Sequence, residues 1–272
     1  MNSIGFYKGD ARSEFMAKYL ADKYIINKHK TSEELFDNSD IIVTPVSLFI
    51  NNDIEVNEFC KYISCKNTVF GGCFPDKLVT YFNENNIKFY DYMKNEEFVL
   101  YNTVSTAEGV IEIAIANTDV NLSESNILII GYGRCAKTLI RKMDGLCDNI
   151  WVTARKECDL FNAKLFGHES LCLDNLAFKI SDFNIIINTV PALVLDEKIL
   201  KNVKNDALII DIASKPGGVD FNYCNEHDIK AIHALGLPGK YSPKSTALFL
   251  CKLLLKALYW HNLAYMIYSV AM

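Results

Sequence analysis

Apolar residues along the chain fall into short runs of about four or five, separated by stretches in which they recur at helical spacing. "IGFY" from Ile4 predicts a strand, and "ARSEFMAKYLAD" predicts a helix with Phe15, Tyr19 and Leu20 on one side. "YIIN" and "DIIVTP" read as strands around the short helix "SEELFDN", which Thr31 or Ser32 can cap. "VNEFCKYIS", "NTVFGG", "PDKLVTYFNEN" and "IKFYDY" continue as helix, strand, helix and strand. Such regular alternation implies a parallel sheet covered on both faces.

The rhythm breaks at "STAEGVIEIAIANT". There Val110, Ile111, Ala114 and Ile115 predict a helix whose cap is Ser105 or Thr106. Polar "DVNLSES" marks a boundary, and a second series of strands and helices starts at Asn126 with "NILII". "NIWVTA", "FNIIINTVP", "DALIIDIAS" and "IKAIHALG" are its further strands, and from Ser245 onward the pattern is one long helix. The expected fold is α/β, with two Rossmann-like domains, parallel sheets and a cleft between them. An N-terminal domain would span 1–104, with a connecting helix at 105–119. A second domain would span 120–245, and a C-terminal helix, 246–272, would return to the first domain.

Composition narrows the function classes. Half of the 272 residues are apolar, enough for a sizeable core, and the net charge is -5. No strongly basic tract occurs, which argues against nucleic acid and against an anionic membrane surface. The N-terminus lacks a charged leader followed by an apolar stretch, so no secretory signal is expected. Near the C-terminus the charge-free stretch "ALYWHNLAYMIYSVAM" is shorter than the roughly 20 residues of a membrane span, and a buried or docking helix is expected instead. Nine scattered cysteines without a C-x-x-C pair suit reduced thiols in a cytoplasm. Cys60, Cys65 and Cys73 match no common zinc spacing, so no metal is expected.

The clearest chemical signal is "GYGRCA" after the strand "NILII". Gly131 suits the tight turn, Gly133 the close approach of a pyrophosphate, and Ala136 the packing of helix on strand. Arg134 and Cys135 lie within this turn. The phosphates would meet the free amides and positive dipole of the following helix start. A dinucleotide is therefore expected, against the plainer reading of a ligand-free glycine turn. The next strand ends in Thr153, Ala154, Arg155 and Lys156, where an NAD-binding protein would place an acid. Asp148 is spaced compatibly but precedes the strand. Arginine and lysine there favour the 2′-phosphate of NADP over NAD, the alternative being a solvated basic loop.

Three strand ends add candidate cleft residues. "NTVP", Asn188, Thr189, Val190 and Pro191, would run beside a nicotinamide. "DIASKPGGVDF" contributes Ala213, Lys215, Gly217 and Gly218, and "LGLPGKYSPKS" contributes Gly236, Pro238, Gly239 and Lys244. Both read as loops, whose glycines suggest close backbone approach and whose prolines suggest rigidity.

Together with "GDAR" (Gly9 to Arg12) and "NTVSTAEGVIEIAIANTD", these motifs resemble, in one order, the A subunits of dipicolinate synthase, over nearly the whole chain. More distantly the pattern is similar to shikimate and D-2-hydroxyacid dehydrogenases. The resemblance implies oxidation of dihydrodipicolinate to dipicolinate with NADP, partnership with a flavoprotein-like B subunit, an oligomeric enzyme, and the mother-cell cytoplasm during sporulation. Ala136 departs from the glycine common in the family at the third turn position, and the aromatic tail beyond Lys256 has no motif counterpart.

A dicarboxylate substrate asks for cations in an acidic chain. Arg12 beside Asp10 is the first-domain candidate, since arginine grips carboxylate bidentately. Lys215, Lys244 and Glu108 are candidates for the departing proton, and Thr106 faces the same expected cleft. His233 is read as packing. Two alternatives stand: an NADP-dependent oxidoreductase of another small carboxylate, such as a shikimate-like acid, and a nucleotide-binding regulatory protein whose partner does the chemistry.

Overall fold

A computed structural model describes residues 2–29 and 31–270, with side chains through Tyr259. The chain divides into two compact units: Met1–Val99 with Ser242–Met272, and Leu100–Tyr241. In chain order the first contains β1 (Ser3–Phe6), α1 (Ala11–Leu20), β2 (Ile25–Asn27), α2 (Ser32–Asp37), β3 (Ile41–Val43), α3 (Asp53–Tyr62), β4 (Thr68–Gly71), α4 (Asp76–Glu84) and β5 (Lys88–Asp91). Helix α5 (Glu96–Asn117) starts in this unit and continues in the second.

The second unit adds β6 (Asn126–Ile130), α6 (Arg134–Met143), β7 (Asn149–Ala154), α7 (Glu157–Leu165) and β8 (Glu169–Cys172). It continues with α8 (Leu176–Lys179), β9 (Ile185–Asn188), α9 (Glu197–Leu200), β10 (Leu208–Asp211), α10 (Phe221–Glu226), β11 (Lys230–His233) and α11 (Leu237–Tyr241). Helix α12 (Pro243–Val270) then belongs to the first unit.

Both sheets are wholly parallel, in the orders β2-β1-β3-β4-β5 and β11-β10-β9-β6-β7-β8. Parallel strands buried on both faces read as near-continuous apolar runs, and the period of two decides which layer each residue joins. In β6, Ile127 and Ile129 pack on one side with Val110 and Ala114 of α5, while Leu128 and Ile130 pack on the other with Leu176 and Leu200. In β3, Ile41 and Val43 face Met16, Leu20 and α12, whereas Ile42 faces Phe36 and Phe59. Each wholly buried isoleucine stabilises the fold by about 1.5–3 kcal/mol. Through Ala247, Leu250, Cys251 and Leu254, α12 packs within the first unit, so the chain does return there.

Local details differ from the sequence reading in four places. Helix α5 starts at Glu96, because the Asn95 side chain accepts the Phe98 amide at 2.9 Å. Ser105 and Thr106 therefore lie inside a helix and cap nothing; Thr106 Oγ1 donates back to Asn102 O at 2.9 Å. Strand β8 has no counterpart in the apolar pattern, since it is a partly exposed edge strand. The buried face of α1 is Arg12, Met16 and Leu20, while Tyr19 is 49% exposed. Finally, "GLPGKYSPK" is not a loop. Pro238 and Gly239 lie in α11 and Pro243 opens α12, positions in a first helical turn where proline's missing N–H loses no bond.

By length and composition α5 is apolar enough to cross a membrane. Its Ala107, Val110 and Ala114 are instead buried in the second unit's core. The aromatic tail from Trp260 onward lies outside the residues whose side chains are described.

Candidate functional site

Open parallel sheets offer a crevice outside their strand ends where the strand order reverses. In the second sheet that point lies between β6 and β9, and the glycine turn follows β6. The Gly131 amide donates to Thr153 O of β7 at 2.7 Å, and Thr189 donates both its amide (3.0 Å) and its hydroxyl (2.8 Å) to Ile130 O. Gly131 stands at φ 103°, where glycine is favoured, and a Cβ there would lie 2.9 Å from Val190 Cγ2 and closer still to Thr189 Oγ1.

Gly133 differs in kind. It is the N-cap of α6 with φ -80°, its helix has no side-chain cap, and a Cβ on it would meet nothing within 4 Å. The first α6 amides thus lack a side-chain cap and lie beside open space, the surroundings a pyrophosphate needs. Ala136 is wholly buried under this turn, Cys135 is half-buried with its thiol pushed up by desolvation, and Arg134 is exposed. The residues present fit a dinucleotide.

Arg155 and Lys156 follow the end of β7, both exposed and without an ion pair among the described residues, with Lys156 as N-cap of α7. Thr153 is wholly buried, its hydroxyl unpartnered.

The loop after β10 is organised from inside. The Asp211 carboxylate, wholly buried, accepts from Asn188 Nδ2 (2.8 Å), the Ala213 amide (3.0 Å) and the Gly218 amide (2.8 Å). Hydrogen bonds to a charged group contribute about 1.5–3 kcal/mol each. Gly217 stands at φ 88° and Gly218 is buried against Val190 O and Ala192 O. The close backbone approach that the glycines suggested is therefore made to Asp211 and to the protein's own carbonyls. Lys215 and Pro191 are exposed, and the Lys215–Pro216 peptide is cis. Asp211 was absent from the sequence-based candidates. Its signal was an acid closing the apolar strand "LIID", because a buried carboxylate must find donors. His233 packs, stacked on Phe221 at 5.2 Å with Nε2 3.3 Å from Ala213 O.

Glu108 is not brought to the glycine turn. It pairs with Lys142 at 2.8 Å, beside the last turn of α6, eight positions beyond Arg134 and hence about 12 Å along the helix. Lys244 is exposed in the first turn of α12.

In the first sheet the order reverses between β1 and β3, and Asp10 and Arg12 follow β1. Asp10 caps α1, accepting the Arg12 amide at 2.9 Å, and its other oxygen takes Arg12 Nε at 2.9 Å and a second guanidinium nitrogen. Burial opposes the Arg12 charge, but the Asp10 partner outweighs it and the pKa is raised. Arg12 is thus no surface arginine; its side chain is 11% exposed and already holds one carboxylate. The preceding turn is held from α3, with Lys8 at φ 46° and its ammonium 2.5 Å from Glu55 and 3.3 Å from Glu58. Tyr7 Oη and Glu55 Oε1 are buried and short of hydrogen-bond geometry. Desolvation, reinforced by Glu55, nevertheless holds the Tyr7 phenol far above its ordinary range.

No family model matches the chain. The A subunit of dipicolinate synthase from Bacillus subtilis (strain 168) is 30% identical over 282 residues, covering 94% of this chain and 95% of that protein. The crystal structure of the same enzyme's A subunit from Bacillus halodurans superposes with a TM-score of 0.83 at 27% identity, covering 94% of this chain and 97% of that one. The crystal structure of the Bacillus subtilis protein gives 0.80 at 26%, covering 97% of each. The transhydrogenase from Sinorhizobium meliloti gives 0.67 at 12% identity, covering 94% of this chain and 92% of that one, a likeness of fold alone.

Proposed function

The chain belongs to the family of dipicolinate synthase A subunits, and from that premise we propose that it oxidises dihydrodipicolinate to dipicolinate with NADP. The observation that carries the reading is the α6 N-terminus, uncapped beside open space at Gly133, with Arg155 and Lys156 rather than an acid after β7. The α6 amides would hold the pyrophosphate, Arg155 and Lys156 the 2′-phosphate, and the segment Asn188 to Pro191 the nicotinamide. When bound, the nicotinamide supplies a hydride acceptor.

The substrate loses one hydride and one proton as its ring becomes aromatic. The chain's own tasks are to hold two carboxylates and receive that proton. Arg12, Lys215 and Lys244 are the cations proposed for the carboxylates. Lys215 or Lys244, in its neutral form, is proposed to take the proton. The reading extends to assembly with a flavoprotein-like B subunit in the mother-cell cytoplasm during sporulation.

The test supplies the purified chain, by itself and with a candidate B subunit, with dihydrodipicolinate and NADP. NADPH absorbance and dipicolinate are followed together. Equimolar appearance of both is expected; no dipicolinate in either preparation would reject the reading.

A further inference from the structure

We propose that Asp211 is a positioning residue, holding the turn that carries Lys215 and the Asn188–Pro191 segment in one arrangement; this rests on the oxidoreductase reading above. Asp211 ends β10 and is wholly buried. Its Oδ1 accepts from Asn188 Nδ2 (2.8 Å) and the Ala213 amide (3.0 Å), and its Oδ2 from the Gly218 amide (2.8 Å). No cation among the described residues pairs with it, so neutral donors alone meet this buried carboxylate.

The loop is shaped around this need. Gly217 takes φ 88°, and a Cβ there would lie 2.8 Å from Asp211 Oδ2. A Cβ on Gly218 would lie 2.6 Å from Val190 O and 2.8 Å from Ala192 O. Asn188 carries the constraint onward, accepting the Val190 amide at 3.2 Å and donating to Val190 O at 2.9 Å. Lys215, exposed between these pinned points, is set in place by a wholly buried carboxylate.

The side-chain chemistry makes the assignment testable. In Asp211→Asn the amide NH₂ faces a donor whichever way it turns: Gly218 N–H on one side, or Asn188 and Ala213 on the other. The experiment uses the full chain as wild type, as Asp211→Asn and, should that variant fold poorly, as Asn188→Ala, which removes one of the three donors. Amide hydrogen exchange across 212–220, NADPH affinity, and kcat and KM for dihydrodipicolinate are measured. Exchange at Ala213 and Gly218 is expected to quicken tenfold or more in Asp211→Asn and less in Asn188→Ala. In Asp211→Asn, kcat falls at least tenfold while the NADPH Kd stays within threefold. Unchanged exchange, or a parallel fall of NADPH binding and catalysis, overturns the proposal. A wild type that binds NADPH but turns over no substrate overturns the oxidoreductase reading and this assignment with it. An active wild type matched by an equally active Asp211→Asn overturns this assignment alone.

Discussion

Two glycines two residues apart should respond to substitution with opposite signs. Gly131→Ala places a Cβ 2.9 Å from Val190 Cγ2, and closer to Thr189 Oγ1, on a backbone at φ 103°. Left-handed strain costs about 1–2 kcal/mol for a residue with a Cβ, and overpacking adds about 1–3 kcal/mol. A loss of about 2–5 kcal/mol is expected, a fall in Tm on the order of 10 °C at about 2–4 °C per kcal/mol.

Gly133→Ser meets no atom within 4 Å and keeps the extended N-cap conformation, φ -80° and ψ -168°. Its hydroxyl can cap α6, which contributes a few tenths of a kcal/mol over glycine. Restricting the unfolded chain adds about 0.4–1 kcal/mol. Stability should therefore rise slightly. The same hydroxyl takes an amide and the space meant for the pyrophosphate, so NADPH affinity should drop tenfold or more, about 1.4 kcal/mol. Thermal unfolding and titration calorimetry on both variants decide the matter. A Gly133→Ser protein that binds NADPH normally, or a Gly131→Ala protein of unchanged Tm, would refute the division of roles.

Arg155 is exposed and unpaired among the described residues, so replacing it disturbs no internal bond. Arg155→Glu should weaken NADPH binding by about 1.5–3 kcal/mol or more, at least 10- to 150-fold. NADH should be affected little, and equal losses for both nucleotides would contradict a 2′-phosphate contact. Arg12→Met leaves Asp10 with only its cap bonds, and a stability loss of about 1–3 kcal/mol is expected. The KM for the dicarboxylate should rise tenfold or more with NADPH affinity unchanged, whereas an unchanged KM removes Arg12 from substrate binding. Burial pushes the Cys147 and Cys224 thiols up to about 11 and Cys251 up to about 12, from an ordinary value near 9. The unfolded chain releases these protons first, so their contribution is complete below pH 9 and is lost as pH rises through 11–12. Urea midpoints should fall across that window, and Cys251→Ala should flatten the slope; a slope unchanged by that substitution would assign the loss to other groups.

The β6-turn-α6 unit was legible because its causes are local: a buried run, glycines that free the backbone, and a small residue under the helix. The alternation of strand and helix was legible for the same reason, and with it two parallel-sheet α/β units. Edge strand β8 was not, because "ESLC" is only partly buried and carries no periodic signal. The start of α5 at Glu96 was written in Asn95, yet "NEEF" reads as a cap only once the helix beyond it is known.

The family motifs were also readable in order along the chain. The functions of single residues within them were not. "DIASKPGG" marks a glycine-rich loop, but only the pairing of β9 with β10 brings Asn188 to Asp211. Only the folded loop shows that Gly217 and Gly218 serve that carboxylate, while Gly133 faces open space. Sequence thus determined most of the elements, their parallel order and the glycine turn, all of which follow from neighbours in the chain. Tertiary structure alone decided which acid is buried and which glycine faces open space, because those depend on how separate strands and loops pack, as Asn188 does on Asp211.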